Sequence, residues 1–300
     1  MMLAGCLFLW VFSSAAVQVI ATDIFNFQQP LFVTLFNSVV GIILLWPYIP
    51  CRFQSINRKD YVTDSVTLAA TARMSCSVGI LWVCSQCMYN VSLLHTSVAT
   101  NTVLSSTSSV FTFLFSLLLT GNKFRQRSCM GVLLCFLGCC LVACQAPIDA
   151  SAEAVHTTFV GGALALASAA LFSLCSVLLD KLSPPGFDPG LFLGLNGVLA
   201  LAFTPFILGI ANLLQFELLR LPDRRVLAML ILNASLGCLF ANYLYSCALL
   251  RLSPTMANLG LSLSIPLSAS VDAVVLKEHS FTAWWFAGAA LTSAGVLCAA

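Results

Sequence analysis

Long apolar runs alternate with short polar connections along the whole chain. Ten such runs can be counted, at about 3–22, 31–49, 67–89, 98–119, 128–146, 159–179, 190–212, 226–249, 255–276 and 281–300. Each is close to the ~20 residues that an α-helix needs to cross ~30 Å of hydrocarbon at ~1.5 Å per residue. The pattern predicts an all-α polytopic membrane protein with ten transmembrane helices. The first run lacks a basic leader, and its length suits a retained span rather than a cleaved signal peptide.

Polar residues inside the runs are not scattered. Wound at ~100° per residue, Asn101, Ser105, Ser108, Ser109, Thr112 and Ser116 share one arc of the fourth run, opposite Leu104, Phe111, Leu114 and Leu118. Similar arcs hold Trp82, Gln86 and Tyr89 in the third run, Asn242 and Tyr245 in the eighth, and Asn258, Ser262 and Asp272 in the ninth. A polar stripe in lipid must turn towards other helices or water. One stripe alone is explained by hydrogen bonds that glue helices together, whereas four of them predict a lined central cavity. The candidate substrate-binding residues are therefore Trp82, Gln86, Tyr89, Asn101, Ser105, Ser109, Thr112, Asn242, Tyr245, Asn258, Ser262 and Asp272. Arg73 points away from the third arc, near a membrane boundary, and is expected to snorkel to the headgroups.

The four striped runs are related by an internal repeat. Tyr89, Ser97, Ser106 and Ser108 recur 156 positions later as Tyr245, Ser253, Ser262 and Ser264. Phe124, Gly131 and Gly138 recur 157 positions later as Phe281, Gly288 and Gly295. Gln86 and Asn242 are themselves 156 apart, and Asn37 with Asn196 continues the match at an offset of 159. Each copy holds five runs, and an odd number forces the second copy to enter the membrane upside down, as in transporters. The expected organisation is a first five-helix repeat at 1–146, a connecting loop at 147–158 and a second five-helix repeat at 159–300.

Composition sharpens this picture. The chain of 300 residues is 60% hydrophobic and 8% charged, with a net charge of +2, which excludes a soluble domain and gives no reason to expect a nucleic-acid partner. The basic loop residues of the first half, Arg52, Arg58, Lys59, Lys123, Arg125 and Arg127, all fall on one side, which should be cytosolic. The 14 Cys residues sit mostly in apolar runs without a His cluster, so no metal, cofactor or disulfide is assigned. An enzyme would need a zinc-binding HExxH, a Cys or Ser nucleophile beside His, or paired intramembrane acids, and none is present. A channel would show a filter or a charged ring, which is also missing.

The runs YNVSLLHTSVATNTVLSSTSSVFT at 89–112 and GLSLSIPLSASVDAVVLKEHSF at 260–281 resemble the fourth- and ninth-span motifs of solute carrier family 35, subfamily F, in the drug/metabolite transporter (EamA-type) superfamily. Weaker likenesses such as QPLFVTLFN at 29–37 and LFLGLNG at 191–197 extend over nearly the whole chain. The resemblance implies two inverted five-helix repeats, both ends cytosolic, and residence in a Golgi, vacuolar or other endomembrane. It links the chain to nucleotide sugars or, within subfamily F, to thiamine.

Together these readings predict a secondary transporter that moves a small polar organic solute by alternating access. The striped faces carry no Lys or Arg to meet a diphosphate, while Asp272 and the rings of Trp82, Tyr89 and Tyr245 suit a cation. A thiamine-like cation is accordingly expected ahead of a nucleotide-sugar antiporter, and a non-transporting receptor or channel is the alternative of another class. The sequence carries no signal of oligomeric state.

Overall fold

The computed structural model describes residues 2–21, 29–47, 68–92, 104–121, 125–143, 152–213, 220–264 and 283–299, with positions 27, 95, 215, 217 and 267. Among them every regular element is helical. In chain order these are α1 (Met2–Ala21), α2 (Pro30–Val39, continued by a 3₁₀ turn Val40–Leu45), α3 (Leu68–Ser92), α4 (Ser108–Thr120) and α5 (Gln126–Ala143). They are followed by α6 (Ala152–Leu182), α7 (Pro189–Leu213), α8 (Arg224–Leu249), α9 (Pro254–Leu261) and α10 (Ala283–Ala299). Helices satisfy their backbone groups internally, which apolar segments in lipid must do. Among the described residues α3, α7, α8 and the stretch Phe159–Leu182 of α6 are long and apolar enough to cross a membrane, and α1, α2, α4, α5 and α10 supply shorter apolar stretches. The chain is an all-helical polytopic membrane protein.

Local chemistry sets the helix ends. Pro30, Pro189 and Pro254 open α2, α7 and α9, where a missing N–H leaves no hydrogen bond unmade. Ser253 caps α9 by accepting from the Met256 N–H at 3.3 Å. The start of α2 is capped from a distance: Glu217, in the connection between α7 and α8, accepts from the Leu31 N–H at 2.9 Å and the Phe32 N–H at 3.0 Å. The helix dipole favours a carboxylate there. Burial nevertheless pushes the Glu217 pKa above the ordinary carboxylate value, against the pull of the two backbone N–H groups.

Packing follows a regular scheme. Adding five to each helix number exchanges the contact α3–α6 with α8–α1, α4–α6 with α9–α1, α2–α8 with α7–α3, α2–α3 with α7–α8, and α4–α5 with α9–α10. Three further contacts, α5–α10, α2–α7 and α4–α9, pair each helix with its own counterpart. The α5–α10 seam is the most extensive, and it depends on glycine. A Cβ on Gly131 would stand 2.6 Å from the Gly295 carbonyl oxygen, and one on Gly138 would stand 2.6 Å from that of Gly288, so only the bare backbones fit.

The exterior is apolar and the polar stripes point inward. On α4, Leu118 is 78% exposed, while Ser109 and Thr112 are fully buried. Arg73 is exposed on α3. Two helices carry widened π turns, Ser75–Gly79 in α3 and Asn233–Phe240 in α8, and these are the helices that the five-step scheme exchanges.

Candidate functional site

Two polar regions lie side by side in the bundle. The first is a closed network around Tyr245 of α8. Its ring packs against Trp10 of α1, Trp82 of α3 and Phe172 of α6, with centroids 5.6, 6.2 and 5.5 Å away. The phenol donates to Asn258 Oδ1 of α9 at 2.7 Å, and the Ser176 hydroxyl of α6 lies 2.9 Å away. Asn258 Nδ2 in turn donates to Thr112 Oγ1 of α4. Thr112 and Ser173 both donate to the Ser108 carbonyl, at 2.7 and 2.8 Å. Four helices are thus tied together through fully buried side chains whose donors and acceptors are spent on one another. Such bonds average only ~0.6 kcal/mol each between membrane helices, but an unmade one costs more.

The second region is a small, partly open cavity. Asn37 and Ser38 of α2, Trp82 of α3, Asn196 of α7 and Asn242 of α8 line it. The Ser38 hydroxyl is committed to the Thr34 carbonyl at 3.0 Å. The Oδ1 atoms of Asn37, Asn196 and Asn242 are buried and have no hydrogen-bond partner. Leaving such a group unmet costs ~1–3 kcal/mol. None of the described lining residues is charged. Gly79, in the π turn of α3, makes the space for Asn196, because a Cβ there would overlap the amide oxygen. A second tie, Asn90 Nδ2 to Thr34 Oγ1 at 2.7 Å, holds α3 against α2 beside the hollow.

A family model described as purine nucleobase transmembrane transport matches residues 4–183, more than half of the chain. The chain belongs to this family. The thiamine-repressible mitochondrial transport protein THI74 of Saccharomyces cerevisiae is 29% identical over 73% of this chain and 60% of its own length. An uncharacterised vacuolar membrane protein of the same yeast is 25% identical over 97% of this chain and 86% of its own. Solute carrier family 35 member F5 of Macaca fascicularis is 28% identical over 75% of this chain and 52% of its own. The chain therefore spans about half to three fifths of the length of two of these relatives. The resemblance to solute carrier family 35 is met by these matches, and they make the chain a multi-pass integral protein of an endomembrane. One crystal structure superposes with a TM-score of 0.67 at 17% identity, covering 99% of this chain and 94% of that one, a likeness of fold alone.

In this member of the purine nucleobase transport family, the residues singled out by sequence divide between the two regions. Tyr245, Asn258 and Thr112 meet in the closed network, and the Ser262 hydroxyl reaches back to the Asn258 carbonyl at 3.5 Å. Trp82 joins the regions, packing on Tyr245 and lining the cavity that Asn242 also faces. Ser109 bonds within α4 to the Ser106 carbonyl at 2.9 Å, and the Ser105 hydroxyl is buried without a partner. Gln86 and Tyr89 are half-buried on α3 and do not line the cavity. Asn101 and Asp272 lie outside the described residues. In the sequence Asn37 and Asn196 stand out only as a repeat match. The signal that could have promoted them is their isolation: each is the single amide in an apolar stretch, LFVTLFN and LFLGLNG, and a lone amide in lipid must be answered by something.

Proposed function

We propose that the chain is a secondary transporter of a small polar organic solute, built as two inverted five-helix repeats, 1–146 and 159–300, that rock about the centre by alternating access. The exchange of helix contacts on adding five supports the repeat, as does the self-matching glycine seam of α5 and α10. One observation carries the functional reading: a hollow bordered by side chains of both halves, three of them asparagines. Transporter sites lie where the repeats meet, because only there can both faces of the membrane gain access in turn.

For substrate, the family description and an aromatic, uncharged lining favour a planar nitrogen heterocycle. A thiamine-like cation remains within that class, with Asp272 as the acid that would set its sign. A nucleotide-sugar antiporter is the second reading. It is disfavoured because a diphosphate needs cationic partners, and the described cavity residues offer none. Purified protein in liposomes should take up labelled thiamine or purine nucleobases saturably, with trans-stimulation by unlabelled solute. Exchange of nucleotide sugars alone, or unsaturable conductance in electrical recordings, would overturn the reading.

A further inference from the structure

We propose that Glu217 is a latch between the two halves, holding the protein shut at the face where α2 begins, so that the resting chain opens first at the face where α7 begins. This rests on the alternating-access reading above and adds which face is fastened, and by what. The argument starts from the first turn of α2. Pro30 has no N–H to place, and the Val33 N–H donates to the Gln29 carbonyl at 3.0 Å. The two donors left over are those of Leu31 and Phe32, and Glu217 accepts both. Gln29, at the capping position, makes no side-chain bond to the helix, and its Oε1 is buried without a partner. The counterpart helix is built otherwise. Pro30 recurs 159 positions later as Pro189, and the capping position before it holds Asp188 in place of Gln29. Asp188 caps its own helix, accepting from the Gly190 N–H at 2.7 Å. One start is thus closed from within its own half and the other by a residue of the opposite half. The aim of Glu217 is fixed by a strained turn. Gln215 has a φ of +54°, costly for a residue with a side chain, and the chain folds back until the Glu217 N–H donates to the Ala211 carbonyl at 3.3 Å.

The two starts lie on opposite sides of a crossing. A Cβ on Gly197 would stand 3.0 Å from the Ser38 carbonyl oxygen, and one on Gly41 would stand 2.8 Å from that of Leu193, so α2 and α7 touch backbone to backbone. Numbers rise along one helix as they fall along the other, which makes the pair antiparallel, with starts at opposite faces. Ser38 and Gly197 are themselves 159 apart, so the contact sits where the repeat maps onto itself. Rocking about it parts α2 from α8 at one face or α7 from α3 at the other. The first seam joins Val33 and Phe36 to Val226 and Leu230, and the second gathers Phe192 and Leu193 with Met74 and Val78. Both are apolar. The second adds the Ser75 hydroxyl on the Phe192 carbonyl, long at 3.5 Å. Opening the first strips two N–H groups from a carboxylate, a stronger pair of bonds, and α2 has no cap of its own to take over.

The test follows backbone hydrogen–deuterium exchange in the full chain, held in lipid nanodiscs at neutral pH. It compares the wild type, Glu217→Gln, Glu217→Ala, and Glu217→Ala combined with Gln29→Asp. Releasing the latch should speed exchange at 30–36 and 226–232 by about tenfold in Glu217→Ala, and by less in Glu217→Gln, which keeps one acceptor. Exchange at 72–78 and 189–195 should slow in return, because the halves then shut the other face. The double variant separates a latch from a mere cap. Gln29→Asp caps α2 locally, as Asp188 caps α7, yet leaves the halves unjoined, so exchange should stay fast at 226–232 and slow at 189–195. Wild-type exchange restored by Gln29→Asp, faster exchange confined to 30–33, or no change at 189–195 would overturn the proposal. Uptake of labelled thiamine and purine nucleobases by the same proteins in liposomes keeps the two readings apart. Opposite changes at the two faces without uptake leave the latch standing and refute transport, whereas uptake with unchanged exchange does the reverse.

Discussion

The network around Tyr245 and the hollow at Asn196 are built from the same materials, amides and hydroxyls on packed helices that share Trp82. They differ in whether the hydrogen bonds close. Around Tyr245 the phenol, the Asn258 amide and the Thr112 hydroxyl are spent on one another, and nothing is left for a solute. At the hollow three oxygens have no donor. In lipid an unmet polar group is costly, so the closed set acts as a fastening while the open set leaves three buried acceptors unanswered.

The largest test breaks the fastening. Asn258→Leu strips the phenol of its acceptor, and a loss of ~2 kcal/mol is expected from leaving that donor buried. It should be read as a lowered midpoint of thermal unfolding in detergent, with the order of solute preference unchanged. A shifted order would mean that the network touches the solute. Next in size, Gly79→Ala puts a methyl group where the Asn196 oxygen sits. Solute uptake should fall about tenfold, equivalent to ~1.4 kcal/mol, and the displaced Asn196 should lower the unfolding midpoint as well. Normal uptake would show that Asn196 is not needed where it stands.

Two smaller effects sharpen the contrast. Tyr245→Phe keeps the aromatic packing but leaves the buried Asn258 oxygen without its donor, so a stability loss of ~1 kcal/mol is expected, with transport intact. Glu217 is a third kind of polar group, buried and bonded yet ionisable. Because burial raises its pKa in the folded protein, the native state holds the proton more tightly than the unfolded chain. Its contribution is therefore fully present below the ordinary carboxylate pKa and is lost as pH rises through the raised one. The unfolding midpoint of the wild type should climb relative to Glu217→Gln as pH falls from neutral towards that range. Parallel curves for the two proteins would rule this out.

Much of the fold could be read from periodicity, because lipid imposes one simple rule on every span. The arc that groups Ser109, Thr112 and Ser116 on α4 is the arc that packing buries. The candidate site was legible only in part. Asn242 and Trp82 belong to recognisable stripes, but Asn37 and Asn196 stand alone in apolar helices, and only the crossing of α2 with α7 brings them to one hollow. In the sequence Tyr245 offers an aromatic face for a cation. Its ring is instead covered by Trp10 and Phe172, from α1 and α6, helices whose sequences show no polar stripe to announce a neighbour. The π turns of α3 and α8 add a further obstacle, since a widened turn rotates everything beyond it relative to a 3.6-residue wheel.

The glycine seam between α5 and α10 reads the same from either side: Gly131 meets Gly295 as Gly138 meets Gly288. A surface that fits its own copy does not need a peptide bond to find it. Two separately translated pieces, divided between residues 147 and 151, would each carry one edge of this seam and should reassemble in the same bilayer. In such a protein the covalent join dictates stoichiometry and order of synthesis, while the instructions for fitting the pieces together are written in the helices themselves.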